Sequence, residues 1–169
     1  MDNMWSGRTG CPAALILAVM QQESGGQPNV TRYEAEYKDR YGKSTKFRDI
    51  LVATGYEPED VATSYGLMQL MLPLAWGYMS ANQKNESAKI YLLDPEQNIR
   101  YGAAHLTALL QKNTLFDVNN KNKNLFGDEV RRVAGAYNGA GSDSAYARNV
   151  CALWQRYEAW LKEAFAHEN

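Results

Sequence analysis

The chain is predicted to be mainly α. Apolar residues recur at helical spacing from Pro12 to Glu23 and from Ile99 to Leu110, helix-start signals precede both runs, and no strand alternation persists for long. The first helix begins near Pro12, a residue suited to the first helical turn, and ends at Gly25-Gly26, where the chain can leave helical geometry. Leu15, Ile16, Val19 and Met20 form its apolar face. The stretch from Gln27 to Thr63 is polar, rich in Tyr and charge, and broken by Gly42, Gly55 and Pro58; it reads as an elaborated connection with one or two short helices. Gly66 to Met79 is apolar enough to enter the core, with Pro73 near a helix start. Asp94-Pro95-Glu96 opens a core helix carrying Ile99, Ala103, Leu106, Leu109 and Leu110. Asn113 to Gly127, with Asn119, Asn120, Asn122 and Asn124, reads as an exposed loop. Glu129 to Tyr137 resumes the helical pattern, and Ser144 to Phe165 closes the chain with a long helix whose Trp154 and Trp160 read as packing residues.

With 169 residues and 45% hydrophobic content, the chain fits one compact domain, residues 1–169, with an insertion at about 27–63. The net charge of -1, with Lys and Arg spread along the chain, gives phosphate binding no electrostatic basis, so nucleic acid is not an expected partner. No apolar stretch approaches the ~20 residues of a membrane span, and Ala13 to Met20 lacks the basic leader and cleavage site of a signal peptide. Cys11 and Cys151 lack zinc-site spacing and read as two separate thiols, a disulfide being the alternative. His105 and His167 receive no catalytic role. No metal or nucleotide motif is present, and no cofactor is expected.

Glu23 stands at the end of the first apolar helix and is followed at once by Ser24-Gly25-Gly26. A carboxyl partly stripped of water there is expected to have a raised pKa, the property that lets an acid protonate a leaving group near neutral pH. The bland reading is a helix-end carboxylate bonded to the backbone of the following turn.

Three further strings follow: Gly66-Leu67-Met68-Gln69-Leu70-Met71, Asp94-Pro95-Glu96-Gln97-Asn98-Ile99-Arg100-Tyr101-Gly102, and Ala136-Tyr137-Asn138-Gly139-Ala140-Gly141. Together with Glu23-Ser24-Gly25, and with Tyr146-Ala147-Arg148-Asn149-Val150 closing the pattern, their order and identity resemble the lytic transglycosylase family of the soluble-transglycosylase type. Arg32-Tyr33-Glu34 and Ala62-Thr63-Ser64-Tyr65, in a connection longer than that of the simplest members, look like a bacteriophage and prophage subgroup.

The resemblance implies a lysozyme-like fold and a catalytic domain acting as a monomer on peptidoglycan glycan strands. Glu23 would be the single acid and base, cleaving the β-1,4 bond between N-acetylmuramic acid and N-acetylglucosamine to leave a 1,6-anhydromuramoyl end. Met68 and Gln69 would line the cleft beside the acid, and Tyr137 would lie close to its carboxyl. Ser24, Ser64 and Asn138 complete the substrate-binding set, while Asn98, Ile99 and Gly102 read as scaffold. The wall target would place the enzyme in the periplasm or outside the cell, as an endolysin released from a host cytoplasm or as a virion-associated protein.

One alternative is a hydrolytic muramidase, with Glu57, Glu59 or Asp60 as a second carboxylate opposite Glu23. A non-catalytic glycan-binding or virion structural module is another, and cleavage of chitin-like polymers a third. The insertion tyrosines Tyr33, Tyr37, Tyr41 and Tyr56 read either as a sugar-stacking platform or as core cover.

Overall fold

The computed structural model describes residues 10–117 and 124–166, and most of them are helical, as the sequence predicts. Asn119, Asn120, Asn122 and His167 lie outside the described residues. The chain divides into two compact units, one of residues 23–102 and one combining the residues before Glu23 with those from Ala103 onward. No helix among the described residues is long and apolar enough to cross a membrane.

Helix α1 is Ala13–Ser24, and it passes from the second unit into the first at Glu23. The connection that follows is more structured than its polarity suggests. It contains strand β1 (Thr31–Tyr33) and helices α2 (Ala35–Tyr41), α3 (Thr45–Thr54) and α4 (Pro58–Val61). Helix α3 starts where Ser44 Oγ accepts the Phe47 amide and stops at Gly55, whose φ of 68° ends the helical path. Phe47, Ile50 and Val61 turn inward from α3 and α4 and are fully or almost fully buried.

Strands β2 (Thr63–Tyr65) and β3 (Leu70–Met71) complete an antiparallel sheet in the order β1-β2-β3. Arg32 faces Ser64 across β1 and β2, and Tyr65 pairs with Leu70 across β2 and β3. Strands of two or three residues are too short for alternation to register, which is why the sequence shows none. After β3 come α5 (Leu72–Ala75), with Pro73 in its first turn as expected, a 3-10 turn at Ala81–Gln83, and α6 (Ala88–Leu93).

Helix α7 (Pro95–Asn113) begins where Asp94 Oδ1 accepts the Gln97 amide at 2.8 Å, and at Ala103 it enters the second unit. There α8 (Gly127–Asn138) packs on α9 (Ala145–Phe165). Val130, Val133 and Ala134 from α8 are buried, as are Ala147, Val150 and Trp154 from α9. Gly135 lets the chain after α8 fold back onto the helix, because a Cβ there would collide with the backbone of Gly141 and Ser142. Trp160 departs from its expected packing role: it is 56% exposed, since six residues after Trp154 at about 100° per residue is a different helix face.

Cys11 and Cys151 are both buried and neither is disulfide-bonded; burial pushes both thiols up from their ordinary pKa. Tyr33 and Tyr41 are exposed, Tyr37 stacks on Tyr41 with ring centroids 4.7 Å apart, and Tyr56 donates to Glu86 O while accepting from the Lys89 amide.

Candidate active site

The last turn of α1 places Glu23 at a half-buried position and Ser24 beneath it in the core. Ser24 Oγ donates to Leu67 O at 2.8 Å and accepts from the Gly26 amide at 3.2 Å. One buried hydroxyl therefore ends the helix and fastens the Glu23 turn to the Gly66–Gln69 turn between β2 and β3. A hydroxyl with these two backbone partners positions the turn that carries Glu23.

The Gly66–Gln69 turn is held from both ends. Gly66 has φ 74°, and a Cβ at this position would stand 2.5 Å from Asn98 Nδ2 and 2.6 Å from Leu92 O. The Gly66 amide bonds to Val30 O at 2.9 Å. Gln69 is the only described residue other than glycine with positive φ, at 48°. Its Nε2 donates to Val30 O and to Gly66 O, both at 2.9 Å, while its buried Oε1 has no hydrogen-bond partner. A left-handed backbone at a residue with a side chain costs roughly 1–3 kcal/mol and persists where its surroundings over-determine it. Here the two Nε2 bonds supply that restraint and leave an oriented acceptor unfilled.

Met68 is fully buried in the fold, and its side chain lies against Gly102 of α7, where an added Cβ would overlap Met68 Sδ. In a tight turn, adjacent side chains point apart, and this one fills the gap that the glycine leaves. Asn98 explains why the two strings occur together. It is fully buried, its Oδ1 accepts the Met68 amide at 2.7 Å, and its Nδ2 donates to Tyr65 O at 2.8 Å and Leu92 O at 2.7 Å. The scaffold reading of Asn98 and Gly102 thus has a specific content: together they clamp the turn that carries Gln69.

Ser64 is also buried, and its hydroxyl donates to Glu34 Oε1 at 3.1 Å. Arg32 Nε donates to the same oxygen at 2.7 Å. The sequence marks Arg32-Tyr33-Glu34 only as a subgroup string and does not foresee that Glu34 joins Arg32 and Ser64. The signal available was the two-residue spacing of Arg32 and Glu34, which puts both on one face of a strand. Of the three carboxylates considered as partners for Glu23, two are engaged in ion pairs. Glu59 pairs with Lys38 at 2.8 Å and Asp60 with Lys89 at 2.9 Å, while exposed Glu57 sits at the start of α4.

Tyr137 and Asn138 end α8 and belong to the other unit, whereas Glu23, Ser24, Ser64, Met68 and Gln69 share the first. Tyr137 is half-buried against His105, with ring centroids 5.5 Å apart and planes tilted by 50°. Burial pushes the His105 pKa down to about 4, so near neutral pH it is an uncharged ring beneath the tyrosine. Asn138 is exposed, next to Gly139 at φ 80°.

A groove lined by Leu153, Tyr157 and Trp160 runs along α9, but it contains none of the residues described above. Residues 1–152 match a family model described as "Transglycosylase SLT domain". No curated protein and no solved structure matches the chain.

Proposed function

The chain belongs to the transglycosylase SLT domain family of peptidoglycan lytic transglycosylases, and from that membership we propose that Glu23 is its single general acid and base. In the first step the Glu23 carboxyl gives its proton to the glycosidic oxygen between N-acetylmuramic acid and N-acetylglucosamine, and the C1–O bond breaks. In the second, the resulting carboxylate takes the proton of the muramoyl C6 hydroxyl as that oxygen closes on C1. The product is a 1,6-anhydromuramoyl end, and Glu23 regains its proton without water being consumed.

The observation that carries this reading is the Ser24 Oγ bond to Leu67 O, which fixes the Glu23 turn against the turn bearing Gln69. Gln69 Oε1, buried and without a protein donor, is suited to accept from a sugar hydroxyl or an acetamido N–H. An amide does this without adding a charge beside the acid. Tyr137 is the hydroxyl proposed to act with Glu23, and Asn138 the exposed residue proposed to meet the glycan. The ion pairs that hold Glu59 and Asp60 favour the one-carboxylate route over a hydrolytic pair.

The substrate is the glycan of the bacterial wall, cleaved by a monomer. Arg32-Tyr33-Glu34 and Ala62-Thr63-Ser64-Tyr65 support a bacteriophage or prophage setting, with an endolysin or a virion-associated enzyme as the role.

Digestion of peptidoglycan in 18O-labelled water tests the chemistry. Anhydromuramoyl ends without label are expected; labelled reducing ends would establish hydrolysis instead. Glu23→Gln removes the proton while keeping the shape, so wall clearing should fall by at least about 100-fold with glycan binding retained.

A further inference from the structure

We propose that Glu34 is a glycan-binding carboxylate, held on the sheet by Ser64 and Arg32 to accept hydrogen bonds from sugar hydroxyls. The proposal rests on the reading of the chain as a glycan-cleaving enzyme and adds a residue to its substrate site.

The register puts the three groups together. Arg32 lies opposite Ser64, so their side chains share a face of the sheet, and Glu34 follows Arg32 by two positions onto that same face. The Glu34 amide extends the ladder by donating to Ala62 O at 2.8 Å. Both side-chain donors converge on Oε1, at 2.7 Å from Arg32 Nε and 3.1 Å from Ser64 Oγ. Oε2 accepts nothing from the described residues, and the side chain keeps 30% of its surface exposed.

Glu34 differs from the two other ion-paired acids of the insertion, Glu59 and Asp60, in how it is held: each of those meets one lysine ammonium, whereas Glu34 Oε1 is held by a guanidinium and a buried serine hydroxyl together. A carboxylate whose one oxygen is fixed and whose other faces solvent is an oriented acceptor, and little conformational entropy is lost when a ligand binds it. Sugar hydroxyls and acetamido groups are the donors it suits.

The location fits as well. Ser64 is three residues from Leu67, at most about 10 Å of chain, and Leu67 O is where Ser24 fastens the Glu23 turn. The opposite face of β2 is closed, since Tyr65 is buried and its hydroxyl donates to Asp60 O.

Steady-state cleavage of soluble oligomers alternating N-acetylglucosamine and N-acetylmuramic acid gives the test, with Glu34→Gln and Ser64→Ala beside the unsubstituted chain. For Glu34→Gln we expect KM to rise about 10-fold, or about 1.4 kcal/mol, with kcat changed less than about twofold and the melting temperature unchanged. Ser64→Ala, which keeps the carboxylate but unfastens it, should give a smaller rise. Calorimetric binding of the same oligomers to Glu23→Gln and to Glu23→Gln/Glu34→Gln should show the same loss of affinity. Unchanged KM and affinity in Glu34→Gln would overturn the proposal, as would a fall in kcat alone or a loss explained by unfolding. The product ends of the unsubstituted enzyme test the Glu23 chemistry separately, because the binding comparison does not depend on turnover.

Discussion

Replacing Asn98 should cost more stability than replacing any exposed polar residue of the chain. Its three hydrogen bonds, at 2.7, 2.8 and 2.7 Å, satisfy the Met68 amide and the carbonyls of Tyr65 and Leu92 in a setting where Asn98 itself has no exposed surface. A buried backbone group left without a partner costs about 1–3 kcal/mol, so Asn98→Ala should lose at least about 3 kcal/mol. That is a large fraction of the roughly 5–15 kcal/mol that holds a domain folded. Asn98→Asp separates hydrogen bonding from volume: it keeps an acceptor for Met68 but aims an oxygen at two carbonyls. It should lose about 2 kcal/mol or more at pH 7 and recover part of this at low pH, where a protonated carboxyl can donate again. Urea unfolding at 25 °C measures both, and a loss below about 1 kcal/mol in Asn98→Ala would refute the clamp.

Other expectations follow from neighbouring contacts. Gly102→Ala should destabilise by about 1–3 kcal/mol through overlap with Met68, and Gly102→Ala/Met68→Ala should cost clearly less than the two single changes added, as a double-mutant cycle of urea melts would show. Gly66→Ala should be worse tolerated than Gly102→Ala, because it meets the Leu92 carbonyl as well as Asn98 and carries a φ of 74°; comparison of the two melting temperatures checks the order. His105 is uncharged in the folded chain down to about pH 4 but takes a proton near pH 6.5 when unfolded, so protons favour the unfolded state between these values. Its contribution should be complete above pH 6.5 and fall by no more than about 3 kcal/mol as the pH approaches 4. His105→Gln should flatten that part of the stability profile, measured by denaturant unfolding at pH 4.5 and 7.

Long helices were legible because their punctuation is local. Pro12, the Asp94-Pro95 pair and Ser144 each mark a start within a residue or two of the helix found. The sheet was not legible, since its strands are two or three residues long and are defined by partners far along the chain. Helix α6 was missed for a related reason: Ser87 makes no side-chain cap bond there, so little marks its start. At the site, residue identity carried further than residue direction. The Gly66–Met71 string marked this turn, but nothing in it distinguishes Met68, which packs inward on Gly102, from Gln69, whose Oε1 is left without a partner. Likewise, the serines stood out as candidates for sugar contact, and folding separates their roles, since Ser24 grips a carbonyl and Ser64 grips Glu34.

The bonds that assemble this site are separated by long stretches of chain: 43 residues for Ser24 to Leu67, 39 for Gln69 to Val30, 30 for Asn98 to Met68. Helix α1 has twelve residues, a length that is marginal in isolation, so it gains its lasting stability only when those partners arrive. Contacts of such long range form after loop closure, and they form slowly. During synthesis at about 5–20 residues per second, Asn98 emerges several seconds after Ser24. Until then the turn bearing Gln69 has no clamp, and a nascent chain carries Glu23 without the packing that surrounds it in the folded domain.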